Sequence, residues 1–191
     1  MEPLSRLPVI GVMGSGREPH TERARRVGEW IAREGYHLLT GGGAGVMAAV
    51  TEAFVGVEHR RGLAIGILPA VAGGRAGAAP PGYPNPWVEI VVRTHLDRVG
   101  PDGAGPASRN HLNVLSSSVV IVLPGAEGTA SEARLAVRYG RPCIAWLSER
   151  DDVPGLPAAI PVESEFSAIE TFVRAACRRT TGDQGSGAGM R

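Results

Sequence analysis

A guanidinium, Arg109, and a carboxylate, Glu132, stand beside glycine-rich turns in this 191-residue chain, a combination suited to chemistry on a phosphate-bearing molecule. Residues 119–132, VVIVLPGAEGTASE, run apolar, break at Pro124-Gly125 and reopen as a helix with Thr129 and Glu132 in its first turn. A strand entering a helix in this way leaves free backbone N–H groups and the positive end of the helix dipole above the sheet edge, which suits an anion. Residues 37–47, HLLTGGGAGVM, repeat the arrangement, and three consecutive glycines plus a fourth are more than a turn requires. The expected cradle is Gly14, Ser15 and Gly16 after one strand, Gly41, Gly42, Gly43, Gly45, Val46 and Met47 after a second, and Pro124, Gly125, Ala126, Glu127, Gly128 and Thr129 after a third.

Arg109 opens a helix capped by Ser108, where a cation opposes the helix dipole by about 0.3–1 kcal/mol unless an anion is bound. It reads either as an anion partner or as a surface arginine. Glu132 also has two readings: a general acid or ribose-hydroxyl acceptor, or the far end of a Thr129-x-x-Glu132 capping box. The five histidines share no metal-binding spacing, so no metal site is expected.

Composition narrows the alternatives. The sequence contains no lysine, which removes both a pyridoxal phosphate Schiff base and a Walker-type phosphate loop. A net charge of +1 supplies no basic field for nucleic acid, and no apolar stretch reaches the ~20 residues of a membrane span. The N-terminus, MEPLSRLPVIGVM, does not read as a secretory signal, so a cytoplasmic location is expected. Cys143 and Cys177 lack CxxC spacing and read as core thiols.

The elements that must position these residues alternate. Apolar runs at 8–13, 36–40, 63–68, 87–92, 119–123 and 142–147 read as strands, with a short edge strand near Ile160-Pro161-Val162. Helical patterns cover 21–34, capped by Thr21, then 44–55, 109–117, 129–139 and 165–178. The Gly/Pro-rich segments 71–86 and 97–107 read as loops, the first able to move over a site, and Asp151-Asp152 as a solvated loop. The pattern predicts a single α/β domain over residues 1–179, a Rossmann-like open parallel sheet of six or seven strands with helices on both faces, and a flexible tail at 180–191. Ligands of such sheets bind outside the carboxyl ends of the strands, where these glycine turns fall.

GGGAGVM, the RN pair at Arg109-Asn110 and PGAEGTASE, in that order, resemble the PGGxGTxxE superfamily. It contains the Lonely Guy phosphoribohydrolases, often misnamed lysine decarboxylases, and the molybdenum cofactor carrier proteins; the missing lysine independently excludes the decarboxylase chemistry. The resemblance spans residues 9–146 and implies that Arg109, fifteen positions before Pro124, and Glu132 would be the catalytic pair of a hydrolase acting on nucleoside 5′-monophosphates. This chain departs from the hydrolases in reading GPASRNH where they read MHxRK, with Asn110 replacing a lysine, and Ala126-Glu127 where they carry a glycine. Arg109-Asn110 and the segment NPWVEIVV look more like the carrier branch, which implies a homodimer or homotetramer holding the phosphate-bearing molybdopterin cofactor as cargo. A phosphoribohydrolase and a non-catalytic nucleotide-sensing module are the alternatives.

Overall fold

The computed structural model describes residues 6–73 and 77–182. Val9–Met13 (β1) lies inside a seven-stranded sheet, with β2 (His37–Thr40), β3 (Ala64–Leu68) and β4 (Ile90–Arg93) on one side and β5 (Val119–Val122), β6 (Cys143–Trp146) and β7 (Val162–Glu163) on the other. The strand order is β4-β3-β2-β1-β5-β6-β7, and every pairing is parallel. The unalternated apolar runs of β5 and β6 are buried throughout, as strands covered on both faces must be.

Parallel neighbours need crossovers, and the helices supply them on two faces. One core layer joins α1 (Thr21–Arg33), α2 (Val46–Val55) and α5 (Phe166–Gly182) through Val27, Ile31, Val50, Phe54, Ile169 and Val173. The other packs Val114 of α3 (Asn110–Leu115) and Ala130, Ala133 and Leu135 of α4 (Glu127–Arg138) beneath Val120, Val122 and Ala145. The chain leaves β1 towards β2 on one side and returns to pair β5 on the other, so the order reverses at the β1–β5 boundary. The turns after these two strands therefore flank the crevice where open α/β sheets take ligands.

Several boundaries differ from the sequence expectations. Thr21 does not cap α1; His20, at φ 41°, holds that place without a side-chain cap. Residues 87–89 lie outside the fourth strand, which starts at Ile90 and reaches Arg93. Helix α2 starts at Val46 rather than residue 44 because Gly45, at φ 63°, turns the chain where a Cβ would strike the Ser15 carbonyl. The 97–107 loop contains a 3₁₀ turn, Gly100–Ala104, and Asp151-Asp152 belongs to another, Arg150–Asp152, closed by a Glu149/Asp152 capping box. Helix α5 continues to Gly182, beyond the expected end at Arg178, while residues 183–191 of the expected tail lie outside the described residues.

Helices α1 and α2 approach closely at Gly28 of α1, where a Cβ would meet the Val50 carbonyl and lie 3.0 Å from the Phe54 amide nitrogen of α2. Both obstacles are backbone, so neither can rotate aside. Gly28→Ala should therefore destabilise the fold by about 1–3 kcal/mol, the scale of an overpacked core, despite alanine's better helix propensity. Urea unfolding measures the change; an unaltered or raised midpoint would show that α1 and α2 separate without cost.

Candidate functional site

The turn after β1 ties the other two turns together through one residue. Ser15 donates its N–H to the Pro124 carbonyl at 2.9 Å, and its own carbonyl accepts the Val46 N–H at 2.8 Å. Its hydroxyl accepts the N–H groups of Arg17 and Glu18 and shapes its own loop. The Pro124-Gly125 turn is held from behind as well, because Gly125 donates to the Asp152 carbonyl at 3.0 Å. Asp152 Oδ2 in turn accepts the N–H groups of Ser148 and Glu149.

Helix α4 begins at Glu127, with Ala126 at its N-cap and no side-chain cap. The N–H groups of Glu127, Gly128 and Thr129 fall in its first turn, where a helix offers them no carbonyl of its own. Thr129 is buried and folds over Gly125, while Ala126 and Glu127 are exposed. The Thr129–Glu132 capping box is not formed. Glu132 lies in the second turn, buried, with its carboxylate directed at α3.

There Glu132 Oε1 accepts a hydrogen bond from Asn113 Nδ2 at 2.9 Å and lies 3.7 Å from Arg109 Nη1. All three side chains are buried, and Arg109 Nε and Asn113 Oδ1 have no partner. Burial pushes the Glu132 pKa above its ordinary value; Arg109 and the Asn113 bond oppose that rise without cancelling it. Arg109 therefore reaches inward rather than into water, across Gly41, where a Cβ would strike its guanidinium. The glycine at 41 is the space the arginine occupies. Ser108 is not the cap of α3: Arg109 holds the N-cap without a side-chain cap, and the Ser108 hydroxyl, one residue earlier, accepts the Asn110 N–H at 3.2 Å.

These groups border a cavity of about 200 Å³ lined by Val12, Met13, Gly14, Gly16, Gly41, Met47, Tyr83, Val99, Gly100, Arg109, Asn110, Gly128 and Glu132. The three expected glycine segments thus each reach one cavity, though not with every residue. Asn110 lines it while its amide donates to Ser131 Oγ at 3.2 Å. Gly42 and Gly43 lie behind the wall: Gly42 donates to Thr40 Oγ1, and Gly43 donates to Met47 Sδ at 3.4 Å. Gly45, Val46, Pro124 and Gly125 shape the turns. Among the described residues no three His, Cys, Asp or Glu side chains gather into a metal-binding group.

Four residues that shape or brace this site were not among the expected site residues. Asn113 carried no motif signal. Asn85, buried, donates its N–H to the Gly42 carbonyl and its side-chain amide to the Gly43 carbonyl while its Oδ1 accepts the Trp87 N–H, which pins this end of the loop to the second glycine turn. Tyr83 follows from that anchoring and stands against Gly43. His111 ties the 97–107 loop in place, with Nε2 bonded to the Gly105 carbonyl at 2.9 Å and Nδ1 to the Tyr139 hydroxyl at 2.6 Å. Since a carbonyl only accepts, Nε2 carries the hydrogen and Nδ1 accepts from Tyr139.

An open parallel sheet with helices on both faces and a glycine-lined crevice at its reversal point defines the class of Rossmann-like α/β proteins. Within that class the chain belongs to the SLOG cluster4 family, whose profile matches residues 7–162. This agrees with the resemblance to the Lonely Guy and molybdenum cofactor carrier superfamily. An uncharacterized protein of Archaeoglobus fulgidus is 33% identical over 138 residues, 71% of this chain and 78% of that protein. The molybdenum cofactor binding protein of Rippkaea orientalis is 30% identical, with a TM-score of 0.67 over 89% of this chain and 97% of that one. A Moco carrier protein from Chlamydomonas reinhardtii is 28% identical, with a TM-score of 0.69 over 91% and 99% of the two chains.

The raised pKa of Glu132 makes stability depend on pH. A native state that holds a proton above the ordinary value of 4.5 is favoured by that proton below the unfolded pKa, and loses the advantage as pH rises through the folded one. Glu132→Gln removes this dependence, whatever constant offset it brings by leaving Arg109 unpaired. The difference in unfolding free energy between wild type and variant should thus favour wild type more at pH 5 than at pH 8. Equal differences at the two pH values would show that Glu132 titrates as an exposed carboxylate does.

Proposed function

We propose that this protein is a carrier that binds the phosphate-bearing molybdenum cofactor as cargo. The observation that carries the reading is the buried Arg109, whose Nε lacks a partner, placed on the same cavity wall as the uncapped first turn of α4. A guanidinium and a helix N-terminus converging on one cavity suit a phosphate. Likeness to the Rippkaea and Chlamydomonas molybdenum cofactor proteins over nine-tenths of the chain supports a pterin as the rest of the ligand. A cavity of about 200 Å³ is smaller than the ~300–1,000 Å³ of typical ligand pockets. It accommodates the phosphate and the group next to it, and leaves the remainder to the mouth walled by Tyr83, Val99 and Gly100.

Glu132 favours a second reading. A buried carboxyl group with a raised pKa is the kind of residue that handles a proton near neutrality. In a phosphoribohydrolase Arg109 would hold the phosphoribosyl group and Glu132 would manage the proton as water replaces the base at the ribose C1′. The altered surroundings of Arg109, with Asn110 spent on Ser131 and no lysine beside it, place this reading second. Exposed Leu112, Leu115 and Val137 on α3 and α4 support a homo-oligomer for either function.

Mass spectrometry of the small molecule released on denaturing purified protein separates the two: a pterin is expected, and a nucleoside monophosphate would favour hydrolysis. Wild type should release negligible ribose 5-phosphate from AMP. Arg109→Ala should weaken binding of the released ligand by about 1.5–3 kcal/mol, the scale of a charge-assisted hydrogen bond. Robust AMP cleavage abolished by Glu132→Gln would overturn the carrier in favour of the enzyme.

A further inference from the structure

Gly41 and Gly43, in the turn after β2, each leave the place of a side chain to another segment. At Gly41 a Cβ would strike the Arg109 guanidinium, and at Gly43 it would lie 2.6 Å from Cζ of Tyr83 and 2.7 Å from both Cε1 and the hydroxyl. Gly42 between them needs its freedom for a φ of 74°, whereas Gly41 and Gly43 have no positive φ. These two positions supply space, one for a charge and one for an aromatic ring.

Tyr83 is carried to its place by Asn85, which bonds to the Gly42 and Gly43 carbonyls, and by its own N–H on the Pro80 carbonyl at 3.1 Å. Its half-buried side chain is the one aromatic ring among the residues lining the cavity, which Met13, Met47 and Val99 also line. Among the described residues nothing pairs with its hydroxyl. The phenol is thus held against the glycine turn from below and spends no hydrogen bond on the protein. Two residues span at most about 7 Å, so the group that follows a phosphate at Arg109 comes within reach of this ring.

We infer that Tyr83 is the specificity-determining residue of this cavity, selecting phosphate esters that carry a planar heterocycle by stacking that heterocycle against its ring. The inference rests on the reading of Arg109 as the phosphate anchor. It holds for a pterin and a nucleoside alike, because stacking needs a π-face and not a particular pattern of polar groups. Arg109 and the glycine turns grip a phosphate whatever follows it; Tyr83 adds affinity only where a flat ring follows. Gly43 belongs to the same device, since the ring keeps its place only while residue 43 has no side chain.

AMP and ribose 5-phosphate share the phosphate and the sugar and differ by the base, so the ratio of their affinities isolates the ring. Calorimetric titration of wild type should show AMP bound more tightly than ribose 5-phosphate. Tyr83→Leu should lower that ratio by about fivefold or more, the low end of what losing a stacked ring costs. Tyr83→Phe should keep the ratio, and Gly43→Ala, with Tyr83 still present, should lower it as Tyr83→Leu does. A residue that merely braced the loop would weaken both ligands together and leave the ratio unchanged. An unchanged ratio in Tyr83→Leu or in Gly43→Ala, or a ratio lost equally in Tyr83→Phe, would overturn the inference while the phosphate anchor stands. Failure of ribose 5-phosphate to bind wild type would instead remove the anchor, and the inference with it.

Discussion

Everything at the crevice depends on the backbone of Ser15. Its N–H and C=O bind the turn after β5 and the start of α2, so the segments following β1, β2 and β5 become one rigid rim. Parallel strands arrive with their carboxyl ends level, but nothing in the sheet itself fixes the loops beyond them. Two hydrogen bonds of about 1 kcal/mol each supply that constraint, joining the half-buried Ser15 to the buried Pro124 and Val46. Gly45 is the concession that allows the approach, at a φ that other residues rarely adopt and with the Ser15 carbonyl where a Cβ would lie.

A rim held this way can support an arrangement that is costly alone. Two buried charges gain from each other less than they lose in leaving water unless further hydrogen bonds complete them. Glu132 has one such bond, from Asn113, and its Arg109 contact at 3.7 Å is long for a hydrogen-bonded ion pair. Arg109 Nε and Asn113 Oδ1 have none. The site is therefore incompletely satisfied in the protein alone, a state that native cores seldom tolerate except where a ligand completes it. The raised Glu132 pKa expresses the same deficit: burial disfavours the charged carboxylate more than Arg109 and Asn113 favour it.

What was legible in the sequence was what local chemistry decides. Unalternated apolar runs announced buried parallel strands, and the glycine turns announced their ends, which suffices for the sheet and the cradle's floor. Glu132 was ambiguous because Thr129-x-x-Glu132 fits a capping box on spacing alone. The helix starts two residues earlier, at Glu127, and that shift rotates Glu132 from the cap into the core. Asn113 gave no signal because its importance lies in a contact with α4 across a stretch that includes all of β5. The 3₁₀ turn at Arg150–Asp152 was hidden for a similar reason: its role comes from a carbonyl, and any residue has one.

The same distinction separates the floor of the cavity from its walls. The floor is largely glycine and backbone beside Arg109 and Glu132, and in either proposed function it would meet the phosphate without regard to what the phosphate is attached to. The walls come from two loops, Asn85 helping to hold the segment with Tyr83 and His111 the segment with Val99 and Gly100. Among the described residues, neither loop contributes to either core layer apart from the flank of Ala104, so changes in them should spare the fold. Under either proposed function one such floor would serve ligands that share only a phosphate. Discrimination between a pterin and a nucleoside would then lie in the loop-borne walls rather than in the glycine motifs, whose sequences are the easier to recognise.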